Sequence, residues 1–274
     1  MRVLLATCAA LPAGEPGGEN LISAFDALGL DSEWVRWDDP SIDWSSGLTC
    51  VRATWDYTSR LQEFLAWARR VPRMLNSADA FEWNTDKSYL LELAASGVPI
   101  VPTIIATSTD QITTMVESSG RSVVMKPATG VGGIGLQVIS PGAGMPSAPG
   151  RWVVQPIIES VRTEGELSAF VIGGEVVSAV LKRPAGNELR VHEEYGGHTV
   201  ITEVTPELAE LALAAVGSAS HLTNTTLHYA RVDALRLKDG TLALGELEIT
   251  EPGLYLDVLP QNAQAFARMA RDVG

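Results

Sequence analysis

Short apolar runs and helix-period stripes take turns over the first eighty residues. Residues 1–7 are an apolar run of buried-strand type. Leu21, Ile22, Phe25 and Leu28 recur at helical spacing over residues 20–28, and Gly29 follows as a natural stop. SEWVRW and LTCVRATW read as further strands, and RLQEFLAWARRV sets Leu61, Phe64, Leu65 and Ala68 on one side of a helix. Alternating strands and helices predict an open α/β unit over residues 1–84.

The rhythm then changes. A helix is expected over residues 87–95, stopped by Gly97, and Val98-Pro99 starts an extended segment. A helix over 109–117 and strands over 122–126, 136–139 and 152–155 follow, with SPGAGMPSAPG as a loop. From residue 166 strands dominate, broken by a helix near 206–220. The pattern divides the remainder into a central α+β unit, 85–160, and a carboxy-terminal one, 161–274. A chain of 274 residues is long enough for such subdomains to share a core.

Composition narrows the partners. Hydrophobic content of 46% and charged content of 19% are ordinary for a soluble globular protein. The net charge of −13 argues against nucleic acid and against an anionic membrane surface, although local lysines can still hold phosphate. No window approaches the roughly 18 uncharged residues of a membrane span. MRVLLATCAALPAG has one basic residue and reads as a first strand rather than a signal peptide. Cys8 and Cys50 lie in apolar runs and make no metal-type spacing with the four histidines, so buried thiols in a reducing cytoplasm are expected. A homodimer is the default assembly.

Two stretches carry chemistry. In VVMKPATGVGGIGLQVI, residues 123–139, an apolar run ends at Lys126 and the glycines 130, 132, 133 and 135 follow. The letters GxGxxG suggest a dinucleotide fold, but that reading needs a helix after the glycines, and here a β-branched run ends at Pro141-Gly142. The glycines therefore join two strands. Such a tip is either a flap whose bare N–H groups approach a phosphate chain or a plain surface loop.

The second stretch is YARVDALRLKDGTLALGELEITEP, residues 229–252. Asp239-Gly240 signals a two-residue type I′ turn. Lys238 then faces Thr241, Asp233 lies opposite Glu246, and Glu248 shares their face. Val232, Ala234, Leu247 and Ile249 point the other way as core. Opposed like charges destabilise a hairpin, a cost that a divalent cation such as Mg²⁺ would offset; a solvated acidic hairpin is the other reading. A lysine–glycine cradle plus an acid cluster specifies a nucleoside triphosphate site without a Walker loop.

With these motifs the chain resembles the ATP-grasp ligases from about residue 84 to 256. NTDKSYLLELAASGVPIVPT is similar to the segment of the family's first ATP lysine, here Lys87. VVMKPATGVGGIGL looks like the second, Lys126, with Gly130, Gly132 and Gly133 in its lid. RWVVQPIIE resembles the hinge whose backbone at Gln155, Pro156, Ile157 and Ile158 binds adenine. GELEITEP resembles the metal signature, with Glu248 where the family often has asparagine.

LKRPAGNELRVHEEYGG is most similar to prokaryotic glutathione synthetases. That likeness implies that Lys182 meets the terminal phosphates and Arg190 steadies the acyl phosphate; His192 stands where asparagine is usual. RATWDY resembles small antibiotic-pathway members, including the ligase that closes the cycloserine ring.

The resemblance implies an ATP-grasp fold and an ATP- and Mg²⁺-dependent carboxylate–amine ligase for a small amino-acid-like molecule, with Asp233, Glu246 and Glu248 as metal ligands. A kinase stopping at phosphoryl transfer, or a nucleotide-binding regulator without turnover, are the rivals. Arg52, Asp56, Tyr57 and Arg60 follow a strand end, where open α/β sheets bind ligands. They are substrate candidates, or else the aromatic rings pack in an interface and the charges pair there.

Overall fold

The computed structural model describes residues 1–130, 132–143, 150–186 and 188–274. Its amino-terminal part holds β1 (Arg2–Thr7), α1 (Gly18–Asp26), β2 (Asp31–Arg36), β3 (Leu48–Ala53) and α2 (Leu61–Ala68). The three strands form a parallel sheet in the order β2-β1-β3, as the strand–helix alternation predicts. Next come α3 (Ala78–Thr85) and α4 (Tyr89–Ala95). The Ser77 hydroxyl caps α3 by accepting from the amide of Ala80.

A four-stranded antiparallel sheet, ordered β4-β7-β5-β6, follows. It comprises β4 (Ile104–Ala106), β5 (Val123–Pro127), β6 (Gln137–Ile139) and β7 (Trp152–Pro156), with α5 (Thr109–Ser119) packed on it. The glycine-rich run joins β5 to β6, so it links two strands and opens no helix. The expected loop over residues 140–150 falls largely on residues 144–149, outside the described residues.

After the short α6 (Ser160–Thr163), a five-stranded antiparallel sheet dominates. Its strands are β8 (Glu166–Ile172), β9 (Glu175–Arg183), β10 (His198–Thr202), β11 (Tyr229–Arg236) and β12 (Leu242–Glu248). The long helix α7 (Pro206–Leu222) precedes β11, and α8 (Pro260–Val273) ends the chain. The sequence pattern as read above assigns neither α3 nor α8.

The two faces of this sheet do different work. One face carries Ala169, Val171, Ala179, Ala230, Val232 and Leu247 and is covered by α4 and α7. The core of the five-stranded sheet thus begins ahead of its own strands, with Ala80, Tyr89 and Leu90. The other face is split along its length. At one end Phe170, Ile172, Val180 and Tyr229 pack with α8 and with Val3, Leu5 and Cys50 of the parallel sheet. At the other end the same alternation presents Glu166, Ser168, Lys182, Arg231 and Asp233.

Candidate active site

The hairpin of β11 and β12 sets the acids in place, by a route that differs from the simple turn. The loop has three residues, Lys238, Asp239 and Gly240. Leu237 donates to the Thr241 carbonyl, and Gly240, at φ 90°, donates back to Leu237. Arg236 therefore pairs with Leu242, one residue out of the two-residue-turn register. A bulge at Gly245 restores it, so that Asp233 does face Glu246 and Arg231 faces Glu248. The bulge also decides which way the acids point. Leu242 and Leu244 face the core before it, Leu247 and Ile249 after it. Without the extra residue, strict alternation would turn Glu246 and Glu248 into that core.

The acids meet a set of cations. Lys87 stands just ahead of α4, its amide donating to the Ala128 carbonyl at 2.8 Å. Its Nζ lies 3.2 Å from Glu246 and also donates to the Gly130 carbonyl, tying it to the glycine run. Lys126 reaches the other oxygen of Glu246 at 3.5 Å. Arg231 donates to both oxygens of Asp233 at 3.0 Å and also bonds Glu248. Ser168 donates to Asp233 at 2.5 Å. One cavity is lined by Lys87, Lys126, Gly130, Gly132, Gly133, Arg190, His192, Asp233, Glu246 and Glu248, with Glu166 at its floor.

The electrostatics follow from burial set against these partners. Burial alone would raise all three carboxyls. Arg231 and Lys182 outweigh it at Asp233, which is held well below the usual carboxylate range. Lys87 and Lys126 do the same for Glu246, at about 2. Among the described residues Glu248 has only Arg231 as a close counter-ion, and burial with the charges of Asp233 and Glu246 pushes it up to about 7.

Lysines and an arginine thus offset the repulsion that the sequence reading assigned to a metal. Among the described residues no three His, Cys, Asp or Glu side chains form a ready ion cage. The donor set still suits Mg²⁺: three hard carboxylates around one cavity, one of them under-neutralised.

Other predicted residues stand elsewhere. Lys182 is 1% exposed and pairs with Glu166 at 2.9 Å and Asp233 at 3.4 Å, so it supports Asp233 from beneath and is not on the cavity wall. Arg190 is on that wall. Its guanidinium lies 3.6 Å from the Tyr195 ring centre and bonds Glu188 at 2.6 Å, under Gly133. Gln155 pairs with Val124, and its side chain donates to Thr103 at 2.9 Å. The stretch 155–158 is not among the cavity's lining residues. Pro156 lies opposite Val123 and Lys126 opposite Val153, which sets that stretch about 10 Å along the sheet from the lysine.

The four substrate candidates do not form one cluster. Arg52 is 0% exposed, bonded to Glu15 at 2.5 Å and to the Pro252 carbonyl at 2.6 Å, between the rings of Tyr229 and Phe266. It is a structural ion pair. Asp56 accepts from the Trp37 indole at 2.9 Å. Arg60 lies over the Trp37 ring, pairs with Asp38 and Glu63, and lines a separate cleft with Trp44 and Trp67. Only Tyr57 turns toward the acids, its hydroxyl standing beside the Glu251 carboxyl. Sequence reasoning missed Arg231, Ser168, Glu166 and Glu251. Arg231 was readable, since it sits two residues before Asp233 in a strand and so shares its face.

Comparison with known proteins bears on the whole chain. Residues 3–76 match the family described as "D-cycloserine synthetase DcsG, N-terminal domain", and residues 91–259 match "Prokaryotic glutathione synthetase, ATP-grasp domain". The chain is 30% identical to the cycloserine biosynthesis protein DcsG of Streptomyces lavendulae, over 90% of each chain. It is 30% identical to a glutathione synthetase of Bradyrhizobium diazoefficiens over 55% of this chain and 48% of that one. The crystal structure of D-cycloserine synthetase DcsG superposes with a TM-score of 0.86 at 25% identity, covering both chains fully. Since the ATP-grasp match spans the glycine flap and the β11–β12 hairpin with its acid cluster, the chain belongs to the ATP-grasp family and is an ATP-dependent ligase.

Proposed function

We propose that this ligase joins a carboxylate to an amine of a small amino-acid-derived substrate through an acyl phosphate, closing a ring within one molecule. The observation that carries this reading is the likeness to DcsG along 90% of both chains, which includes the amino-terminal sheet as well as the ATP-grasp part. Cycloserine is a five-membered ring. Opening its carbonyl–nitrogen bond leaves an α-amino acid with a free carboxylate and a terminal O–NH₂ group. That compound, O-amino-D-serine, is the substrate we assign.

The roles follow from chemistry and placement. A carboxylate does not react with an amine because oxide is a poor leaving group, and transfer of the γ-phosphoryl group to it supplies phosphate as the leaving group. Lys87 and Lys126 hold the triphosphate in line, and Gly130, Gly132 and Gly133 cover it with backbone N–H groups. Asp233, Glu246 and Glu248 would hold Mg²⁺, which would supply positive charge against the developing charge of the transferred phosphoryl group. Lys182 and Arg231 keep Asp233 ionised. Arg190 faces the acyl phosphate and the oxyanion formed as the amine attacks. The hinge 155–158 takes the adenine. The buried, free thiols of Cys8 and Cys50 fit a reducing cytoplasm, and no helix among the described residues is long and apolar enough to cross a membrane.

The test is ADP release with ATP, Mg²⁺ and O-amino-D-serine, with the product followed by mass spectrometry. Loss of one water from the substrate mass, one ADP per product, is the expected result. ADP release only with a separate acid and a separate amine would replace ring closure by intermolecular ligation. ADP release with a phosphorylated acid as the end product would favour a kinase.

A further inference from the structure

Glu251 is the buried acid that the roles above leave unused. It follows β12 in the loop ITEPG and is 7% exposed. Glu15, Glu166, Asp233, Glu246 and Glu248 each have a lysine or arginine within 4 Å. Glu251 has none among the described residues; the Tyr57 hydroxyl is the polar side chain beside its carboxyl. An isolated buried carboxylate costs several kcal/mol, so this group stays protonated unless a cation comes to it. Burial first, and then the charge of Glu248, pushes this carboxyl up to about 8.

The loop that carries Glu251 is pinned from both sides. The Trp55 indole donates to the Glu251 carbonyl at 3.1 Å, Arg52 to Pro252 at 2.6 Å, and the Leu254 amide to Glu15 at 2.7 Å. Arg231, which holds Asp233 and Glu248, reaches the Gly253 carbonyl at 3.5 Å. Glu251 thus stands at the joint between the amino-terminal sheet and the acid cluster. The buried hydroxyls of Thr54 and Thr250, the residues just before Trp55 and Glu251 in the chain, have no hydrogen-bond partner. Trp55 is 37% exposed beside them, an indole of the kind that favours a cation over its face.

We propose that Glu251 anchors the α-ammonium of the substrate, with the hydroxyls of Thr54 and Thr250 accepting from it and Trp55 forming the wall. An ammonium brings one positive charge and three donors, which matches one uncompensated carboxylate and two unused acceptors. Anchored there, the amine that must stay free is kept from the acyl phosphate. The carboxylate, on the neighbouring carbon, is turned toward Arg190 and the metal acids. This rests on the amino-acid reading above but makes a separate demand, that recognition depend on the α-amine.

The test is a cycle of two ligands and two proteins, each loaded with Mg²⁺ and ADP and titrated by calorimetry. The ligands are O-amino-D-serine and 3-(aminooxy)propanoate, which lacks the α-amine; the proteins are wild type and E251Q. Wild type should bind the amine-bearing ligand about a hundredfold more tightly, and E251Q should bind both alike and weakly. Glu251→Asp, which keeps the charge, should recover part of the difference. In turnover the loss should fall on KM for the amino acid, with KM for ATP unchanged.

Equal binding of the two ligands by wild type, or discrimination retained in E251Q, overturns the anchor. D-cycloserine serves as a third ligand to separate the two readings. If O-amino-D-serine is not turned over but D-cycloserine binds in a Glu251-dependent way, ring closure falls and the anchor stands. If no amine-bearing ligand binds wild type, the anchor falls.

Discussion

Two arginines show how one residue type serves opposite ends at the residue scale. Arg52 is held by Glu15, a carbonyl and two rings, far from any role in chemistry. Arg52→Ala leaves Glu15 charged and buried. It should destabilise the fold by about 3–5 kcal/mol in chemical denaturation, while any protein that folds keeps its KM for ATP. Arg231 instead neutralises two acids of the cavity. Glu246 shares both cavity lysines, so Glu246→Gln should lower kcat/KM by on the order of 10²–10³ in an ADP-release assay with little change in Tm.

The pH dependence of stability should be read at Glu251. Its folded value, about 8, lies above the usual 4.5, so its contribution is full below pH 4.5 and lost as the pH rises through 8. In scanning calorimetry without ligands, the Tm of E251Q minus that of wild type should therefore grow from pH 5 to pH 9.

At the scale of elements, the β11–β12 hairpin turns on one glycine. The pairing of Asp233 with Glu246 was legible from DG and from the alternation of acids and apolar residues. The actual turn is a residue longer, and Gly245 compensates for it. A break in period two, Leu242-x-Leu244 followed by Leu247-x-Ile249, was visible in the letters LALGELEI. Deleting Gly245 should turn Glu246 and Glu248 toward α7 or Leu242 and Leu244 toward solvent. Either way the protein should lose ATP binding in calorimetry and show a broadened or lost unfolding transition. The glycine flap is a second such element. Gly133 sits at φ 66°, and a Cβ there would come within 3.2 Å of the Arg190 side chain. Gly133→Ala should displace Arg190 and slow turnover roughly tenfold or more, with Tm nearly unchanged.

On the scale of the whole molecule, α8 is the piece that joins the parts. Ala263, Phe266, Ala267 and Ala270 recur at helical spacing and are buried with residues of both the parallel sheet and the five-stranded sheet. The chain's last helix therefore completes the core of its first strands. Truncation after Leu259 should give an insoluble or unfolded protein by circular dichroism, rather than a trimmed but active one.

The chain's letters by themselves determined most of the strands and helices, α3 and α8 excepted, that the glycines link two strands, and that Asp233, Glu246 and Glu248 share a face. Each of these depends on local periodicity and turn chemistry, which act within a dozen residues. Tertiary structure alone decided that Arg52 is a structural pair, that Arg60 opens onto another cleft, and that Lys182 lies beneath Asp233. It also decided that lysines from two distant segments neutralise Glu246, and that Glu251 is buried with no cation beside it among the described residues. Those outcomes depend on which charges become neighbours when water is excluded, and no spacing along the chain encodes that distance.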